Sequence, residues 1–283
     1  ILRPLFILCS MCAEQKNSPN APAFVENSDG LCYNKILVES MTLLDIVNNS
    51  RRIVFFGGAG VSTESGIPDF RSADGLYHQK YDVPPEVMLS ASYFYSHTEK
   101  FFEFYREKML PLWAKPNAAH IRLAQWERAG KLLAVVTQNI DGLHQAAGSK
   151  RVFELHGSIH RNHCLSCGKA YSAQDIVGSR GIPHCSCGGI IKPDVVLYDE
   201  PLDQKTIEGA IQAISEADTL IVAGTSLTVY PAASFVDFFR GKNLVLINRD
   251  PTPLDKKCRL VLHEKVGEVF AALSSYLPEE NSK

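Results

Sequence analysis

The stretch RIVFFGGAGVSTESGIPDFR (52–71) runs an apolar segment, RIVFF (52–56), directly into a glycine-rich turn. A segment with few polar interruptions reads as a strand buried on both faces, because a strand with one wet face alternates apolar and polar residues. Four other segments share this character: LLAVVT (132–137), VFEL (152–155), TLIVAG (219–224) and LVLIN (244–248). Helical patterns lie between and around them, at 92–110, at 117–129 closed by Gly130, at 203–217, at 231–240 closed by Gly241, and at about 267–276. A further helix opens with Thr42 as N-cap, placing Leu43, Leu44, Ile46 and Val47 on one side. Strands alternating with helices predict an α/β fold built on a doubly wound parallel sheet, whose ligands bind at the carboxyl ends of the strands.

Residues 160–191 break this pattern. They are poor in large apolar residues and hold four of the eight cysteines, Cys164, Cys167, Cys185 and Cys187. The spacing is C-x2-C, seventeen residues, then C-x-C, which suits a closed tetrahedral zinc site with four thiolates and no open position for a catalytic water. The second pair is one residue tighter than usual, and a mixed site using His163 or His184 is the alternative. So small a segment buries little core, and a metal is its natural staple. The expected division is a leader over 1–40, disordered or non-native, with Met41 a plausible start. The nucleotide-binding domain then occupies 41–159 and 192–277, the zinc module 160–191, and a tail 278–283. Cys9, Cys12, Cys32 and Cys258 are scattered and suggest no site.

A chain of 283 residues buries a sizeable core, and its formal charge of −2 gives no reason to expect nucleic acid as a partner. No apolar run approaches the roughly 20 residues of a membrane span. Clustered cysteines of this kind belong to a reducing compartment, so the expected location is cytoplasmic.

The polar strand ends carry the chemistry. Gly58 and Gly60 follow the first strand and would let backbone approach a pyrophosphate, but Thr63 stands where the third glycine of a dehydrogenase fingerprint belongs. TQNID (137–141) sets Gln138, Asn139 and Asp141 at the sheet's carboxyl edge. Asn248 of INRD (247–250) lies 24 residues after Gly224 of GTS (224–226), near the spacing of a ribose contact in a second nucleotide-binding half. His156 follows strand 152–155 and reaches the same edge. A lone histidine is more often a structural hydrogen-bonder, but amides and a carboxylate beside it suit a general base near pH 7.

Taken together, GAGVSTESGIPDFRS, TQNIDGLH, ELHG, the paired cysteines, KPDVVLYDE, GTS and INRD occur in the order found in sirtuins. The chain resembles these NAD-dependent protein lysine deacylases over about residues 42–277, in their compact bacterial form. The resemblance implies a Rossmann-like domain with a smaller zinc-bearing module and NAD in the cleft between them. It implies that Ala59, Gly60, Phe70 and Arg71, with Gly58, form the cofactor loop, Phe70 shielding the reaction centre. Gln138, Asn139, Ile140 and Asp141 correspond to the nicotinamide and ribose pocket, and Gly224, Thr225, Ser226, Asn248 and Val266 to contacts at the adenosine end. His156 corresponds to the catalytic base, and Asn139 to a second catalytic residue. Cys164, Cys167, Cys185 and Cys187 correspond to the ligands of a structural Zn2+, and Val195 and Val196 to the edge that pairs with an extended acetyl-lysine peptide. The implied reaction consumes NAD as co-substrate and gives nicotinamide, deacylated lysine and O-acetyl-ADP-ribose.

Members that remove acidic acyl groups carry a Tyr-x-x-Arg pair, whereas LYHQKYDVPPE (76–86) has no arginine, which favours acetyl or other uncharged acyl lysine. The expected partners are acylated proteins or peptides, with no nucleic acid, no membrane and a monomeric chain. The main alternative is a protein mono-ADP-ribosyltransferase using the same NAD pocket. A zinc-dependent nucleic-acid-binding module lacks the basic patch it needs, and a dehydrogenase lacks the third glycine.

Overall fold

The computed structural model describes residues 24–26, 32–70, 75 and 83–274, with side chains from Thr42 onward. Arg71 and most of the 76–86 stretch lie outside the described residues. Strands β1 (Phe24–Glu26) and β2 (Cys32–Asn34) form a small antiparallel pair, and helix α1 (Lys35–Asn49) follows at once. Thr42 therefore sits inside α1 rather than capping it. The helix continues back into the segment read as a leader, because ILVES carries the apolar pattern a turn further than Leu43.

The main sheet has six parallel strands in the order β11-β10-β9-β3-β4-β5. These are β3 (Ile53–Gly57), β4 (Leu132–Thr137), β5 (Val152–Glu154), β9 (Thr219–Ala223), β10 (Asn243–Ile247) and β11 (Leu260–Leu262). Counted along the sheet by order in the chain, this is the 3-2-1-4-5-6 arrangement of a doubly wound nucleotide-binding fold, with its switch point between β3 and β9. Five of the six strands match the apolar segments of the sequence. The edge strand β11 is three residues long and follows directly on the polar run Lys256 to Arg259, with no turn signal between.

Both faces of the sheet are covered. Ile53, Phe55, Val135, Ile221, Val245 and Ile247 pack on one side against α1, α5 (Ala118–Arg128) and α9 (Val266–Ser274). Val54, Phe56, Ala134, Val136, Leu220 and Val222 pack on the other against α8 (Gln204–Glu216) and a 3-10 segment, Ala232–Phe238. This two-sided burial is why β3 and β9, buried at every position, read as continuous apolar runs. Helix α5 ends before Gly130, at φ +70°, as its sequence predicts, and Asn117 stands at its N-cap.

Two further expected helices differ. The 92–110 segment divides into α3 (Ala91–Ser96) and α4 (Thr98–Lys108), preceded by α2 (Pro85–Met88). The break falls at His97 (φ −135°), flanked by Ser96 and Thr98, whose hydroxyls bond back to the carbonyls of Ser92 and Phe94 at 2.7 Å. The 231–240 segment is the 3-10 element rather than an α-helix.

A second core gathers Phe94, Phe101, Phe102 and Tyr105 from the α3–α4 region with Ile159, Ile176, Ile191 and Leu197. Beyond the short helix α6 (Leu143–Ala146), the cysteine-bearing segment supplies β6 (Gly157–Cys164), β7 (Ala170–Tyr171) and α7 (Ala173–Val177), and β8 (Ile191–Val195) closes the antiparallel sheet β7-β6-β8. Arg106 of α4 reaches across to the carbonyls of Ile176 and Gly181 and the hydroxyl of Ser179. The inserted lobe thus rests on the α2–α4 helices as well as on its own strands.

Candidate functional site

The switch point is built from two loops pressed backbone to backbone. Gly58 N–H donates to the Ala223 carbonyl at 3.1 Å, and Gly60 N–H to that of Gly224 at 2.9 Å. A Cβ on Gly60 would lie 2.8 Å from Gly224 Cα, and one on Gly224, at φ +56°, 2.5 Å from the Val61 nitrogen. No side chain fits at either place. These glycines are required by the loop-to-loop contact, in addition to any close approach by a phosphate.

The end of β4 lies beside this cradle and is held to it. Gln138 N–H donates to the Gly57 carbonyl (2.9 Å), and its side-chain amide donates to Thr225 Oγ1 (3.0 Å) in the facing GTS loop. Asn139 is buried, and its amide donates to Ser62 Oγ at 3.1 Å; Ser62 in turn donates to Asp141 Oδ2 at 2.7 Å. The other Asp141 oxygen accepts Leu143 N–H (2.9 Å). Three separated stretches, 58–62, 138–141 and 224–225, therefore converge. Ser62 is the residue that sequence reasoning missed. Its signal was a hydroxyl two positions after Gly60 in the same turn.

His156 joins this group from the end of β5. Its Nδ1 lies 2.9 Å from the Gln138 carbonyl. A carbonyl only accepts, so Nδ1 carries the proton and Nε2 keeps its lone pair. Burial pushes the imidazole pKa below the ordinary histidine value, against the opposing pull of that carbonyl, and favours the neutral, basic form. The His156 carbonyl accepts Val196 N–H at 3.0 Å, which places the Val195–Val196 edge directly against the histidine.

The remaining expected positions divide. Phe70 and Ile140 pack against the smaller lobe's core and so span the space between the lobes. Ser226 is exposed, with Oγ 2.8 Å from Thr228 Oγ1. Asn248 stands at the end of β10, its amide donating to the Asp250 carbonyl at 2.6 Å. The Val266 side chain is buried in the core below α9, so a ligand would meet only its backbone. Beneath the 138–144 loop lie two fully buried imidazoles, His120 and His144, with ring centroids 4.7 Å apart. Burial lowers both, His120 to about 4, and keeps them uncharged.

The four cysteines converge at the far end of β6. Their Sγ atoms all lie within 4.8 Å of one another, with Cys164 to Cys187 at 3.5 Å and Cys167 to Cys185 at 3.6 Å. A tetrahedron of Zn–S bonds of about 2.3 Å requires sulfurs roughly 3.8 Å apart, so the cluster fits zinc. Among the described residues no other group of histidines, cysteines and carboxylates has such geometry, and neither His163 nor His184 takes part. The C-x-C pair does supply two thiolates, with Gly188 at φ +88° turning the chain after Cys187.

The sequence profile of the Sir2 family matches residues 58–231, which include the cradle, the 138–141 loop, His156 and all four cysteines. The chain belongs to the Sir2 family. It is 60% identical over 232 residues to an NAD-dependent protein deacetylase of Clostridium acetobutylicum, covering 81% of this chain and 95% of that Sir2 relative. It is 53% identical to one of Cutibacterium acnes, over 80% and 94% of the two chains. Among solved Sir2 structures, one with a p53 peptide and NAD+ aligns with TM-score 0.73 and 41% identity, over 83% of this chain and 96% of that one. Another, bound to a propionylated peptide, aligns with TM-score 0.75 and 39% identity, over 84% and 98%.

Proposed function

We infer that this Sir2 protein is an NAD-dependent protein deacetylase that removes acetyl or other uncharged acyl groups from lysine. The observation that carries the reading is the placement of a neutral imidazole, His156, between the glycine cradle at the switch point and the Val195–Val196 edge. NAD supplies an electrophilic ribose carbon from which nicotinamide departs, and the acyl oxygen takes its place. The 58–60 and 224–226 backbone holds the dinucleotide, and Asn139, Ser62 and Asp141 orient its nicotinamide–ribose end. Phe70 and Ile140 close the space between the lobes against water. His156 accepts a ribose hydroxyl proton at Nε2, the nitrogen left basic by its Nδ1–H bond to Gln138, as that oxygen attacks the acyl carbon. One water completes the cleavage of the acyl carbon–lysine nitrogen bond, leaving the acyl group on the ribose and the free amine on lysine. Positioning supplies much of the remaining rate. The four cysteines would hold zinc as a staple, and with every coordination place filled by thiolate the ion has no chemical step to perform.

We take the NAD-binding domain to comprise the six-stranded sheet and its helices, and the smaller lobe to include α2–α4 with the zinc-bearing strands. No described helix is long and apolar enough to cross a membrane. Four clustered thiols fit a reducing, cytoplasmic setting. Among the described residues, the glycine cradle, the 138–141 loop and His156 all come from one chain, which supports a monomer. The test is mass spectrometry of an acetyl-lysine peptide incubated with the protein and NAD. Loss of the acetyl group with formation of O-acetyl-ADP-ribose is expected. Transfer of ADP-ribose to protein without deacetylation would overturn the reading in favour of an ADP-ribosyltransferase.

A further inference from the structure

Strand β6 leaves its ladder at one place. Ser158 pairs with Asp194 and Asn162 with the adjacent Pro193, so residues 159–161 bulge out without partners on β8. A bulge redirects side chains and is frequent beside active sites. Each of the three bulged residues makes a contact outside the ladder, and Arg161 also bonds back to a side chain of β8. Ile159 N–H donates to the Ile140 carbonyl at 3.0 Å. His160 Nε2 lies 2.9 Å from the Asp141 carbonyl, which again can only accept, so Nε2–H is the donor. Its ring covers Gly142, where a Cβ would sit 2.6 Å from His160 Cδ2. Arg161 forks, Nη1 to Glu154 Oε2 at 2.6 Å and Nε to Asp194 Oδ2 at 2.7 Å. Glu154 ends β5 two residues before His156, and Asp194 precedes Val195.

The bulge therefore touches both sides of the site. The 138–141 loop commits the Asp141 side chain inward, to Ser62 and Leu143, and its carbonyls outward, to Ile159 and His160. We propose that residues 159–161 form a clasp that holds the NAD-binding loop and the acyl-peptide edge in one frame, His160 positioning the loop and Arg161 the edge. The assignment of ligands rests on the deacetylase reading above; the clasp itself rests on the bulge and its bonds.

The zinc-loaded full chain carrying His160→Ala, His160→Gln or Arg161→Met tests this. His160 is exposed, so its truncation should leave the fold intact. Loss of its hydrogen bond is expected to weaken NAD binding by calorimetry, and to raise KM for NAD, about fivefold. Exchange of the 138–143 amides should quicken by a similar factor, with KM for acetyl-peptide changing little. His160→Gln, whose amide can donate to the same carbonyl, should recover most of the NAD affinity. Arg161→Met should show the opposite division, raising KM for the peptide about threefold, as suits a half-exposed ion pair. Equal changes in both constants, a lowered melting temperature with unchanged constants, or 138–143 amides that exchange at the wild-type rate in His160→Ala would each overturn the clasp. A wild-type chain that binds no NAD would instead remove the deacetylase reading, and the exchange rates would still decide on the clasp.

Discussion

His156 shows how much one hydrogen bond can settle. A histidine at a strand end has two nitrogens and two tautomers, and the chemistry depends on which nitrogen is free. The Gln138 carbonyl fixes the answer at 2.9 Å. His156→Ala is expected to lower kcat for NAD-dependent deacetylation by roughly 100- to 10,000-fold, with NAD still bound in a calorimetric titration. Wild-type turnover in the variant would exclude the imidazole as base. The pH profile follows from the burial of the ring. A pKa below the ordinary histidine value leaves His156 neutral at pH 7, so kcat/KM should be flat there and fall only as pH drops below about 6.5. An acid limb centred above pH 7 would contradict this environment. The four cysteines and His156 were legible from spacing and order, because metal ligands and strand-end residues leave local marks. Ser62 was not, since a serine in a turn has many commonplace uses and only the Asp141 contact singles it out.

The switch point is decided by how two βα loops meet. Sequence reading assigns Gly58 and Gly60 to phosphate approach, and the structure adds that Gly224 is their counterpart across β3 and β9. Gly224→Ala places a side chain at φ +56° and 2.5 Å from a backbone nitrogen, neither of which can relax without parting the loops. A loss of at least about 2 kcal/mol in stability is expected from urea unfolding, together with loss of NAD binding. A variant as stable as wild type would show that the loops separate at no cost. Secondary structure was readable wherever burial was two-sided, as in β3, β4 and β9. It was not readable in β11, whose LVL follows directly on the polar run Lys256 to Arg259 with no turn signal between, nor at His97, where hydroxyls on either side compete for helical carbonyls.

Across the molecule, two lobes with different sources of stability share one cleft. The sheet lobe rests on two apolar layers. The smaller lobe packs the aromatic residues of α3–α4 against a segment of few large apolar side chains, pinned at its far end by four thiolates. Zinc removal by a strong chelator is expected to loosen residues 164–191, seen as rapid amide exchange there, and to lower the melting temperature by on the order of 10 °C. The β3, β4 and β9 amides should stay protected, and activity should return with zinc. A stripped protein that keeps slow exchange at 164–191 yet loses activity would mean that the ion takes part in the chemistry.

The boundary at residues 154–164 shows where local information ends. ELHGSIHRNHC contains a strand-end histidine, the proposed base, and a cysteine of the metal cluster, and order along the chain is enough to tell them apart, because each belongs to a motif of fixed spacing. His160 and Arg161 lie between those motifs and carry no pattern of their own. The partner of His160 is 19 residues away on a loop of the other lobe, and Arg161 forks between Glu154 at the end of a main-sheet strand and Asp194 on β8 of its own sheet. The contacts to the Asp141 carbonyl and to Glu154 arise only when both lobes have packed and the bulge in β6 has turned the side chains toward them. Periodicity, spacing and glycine placement fixed the layers, the strand ends and the metal ligands, while the packing of the lobes alone determined what holds them in register.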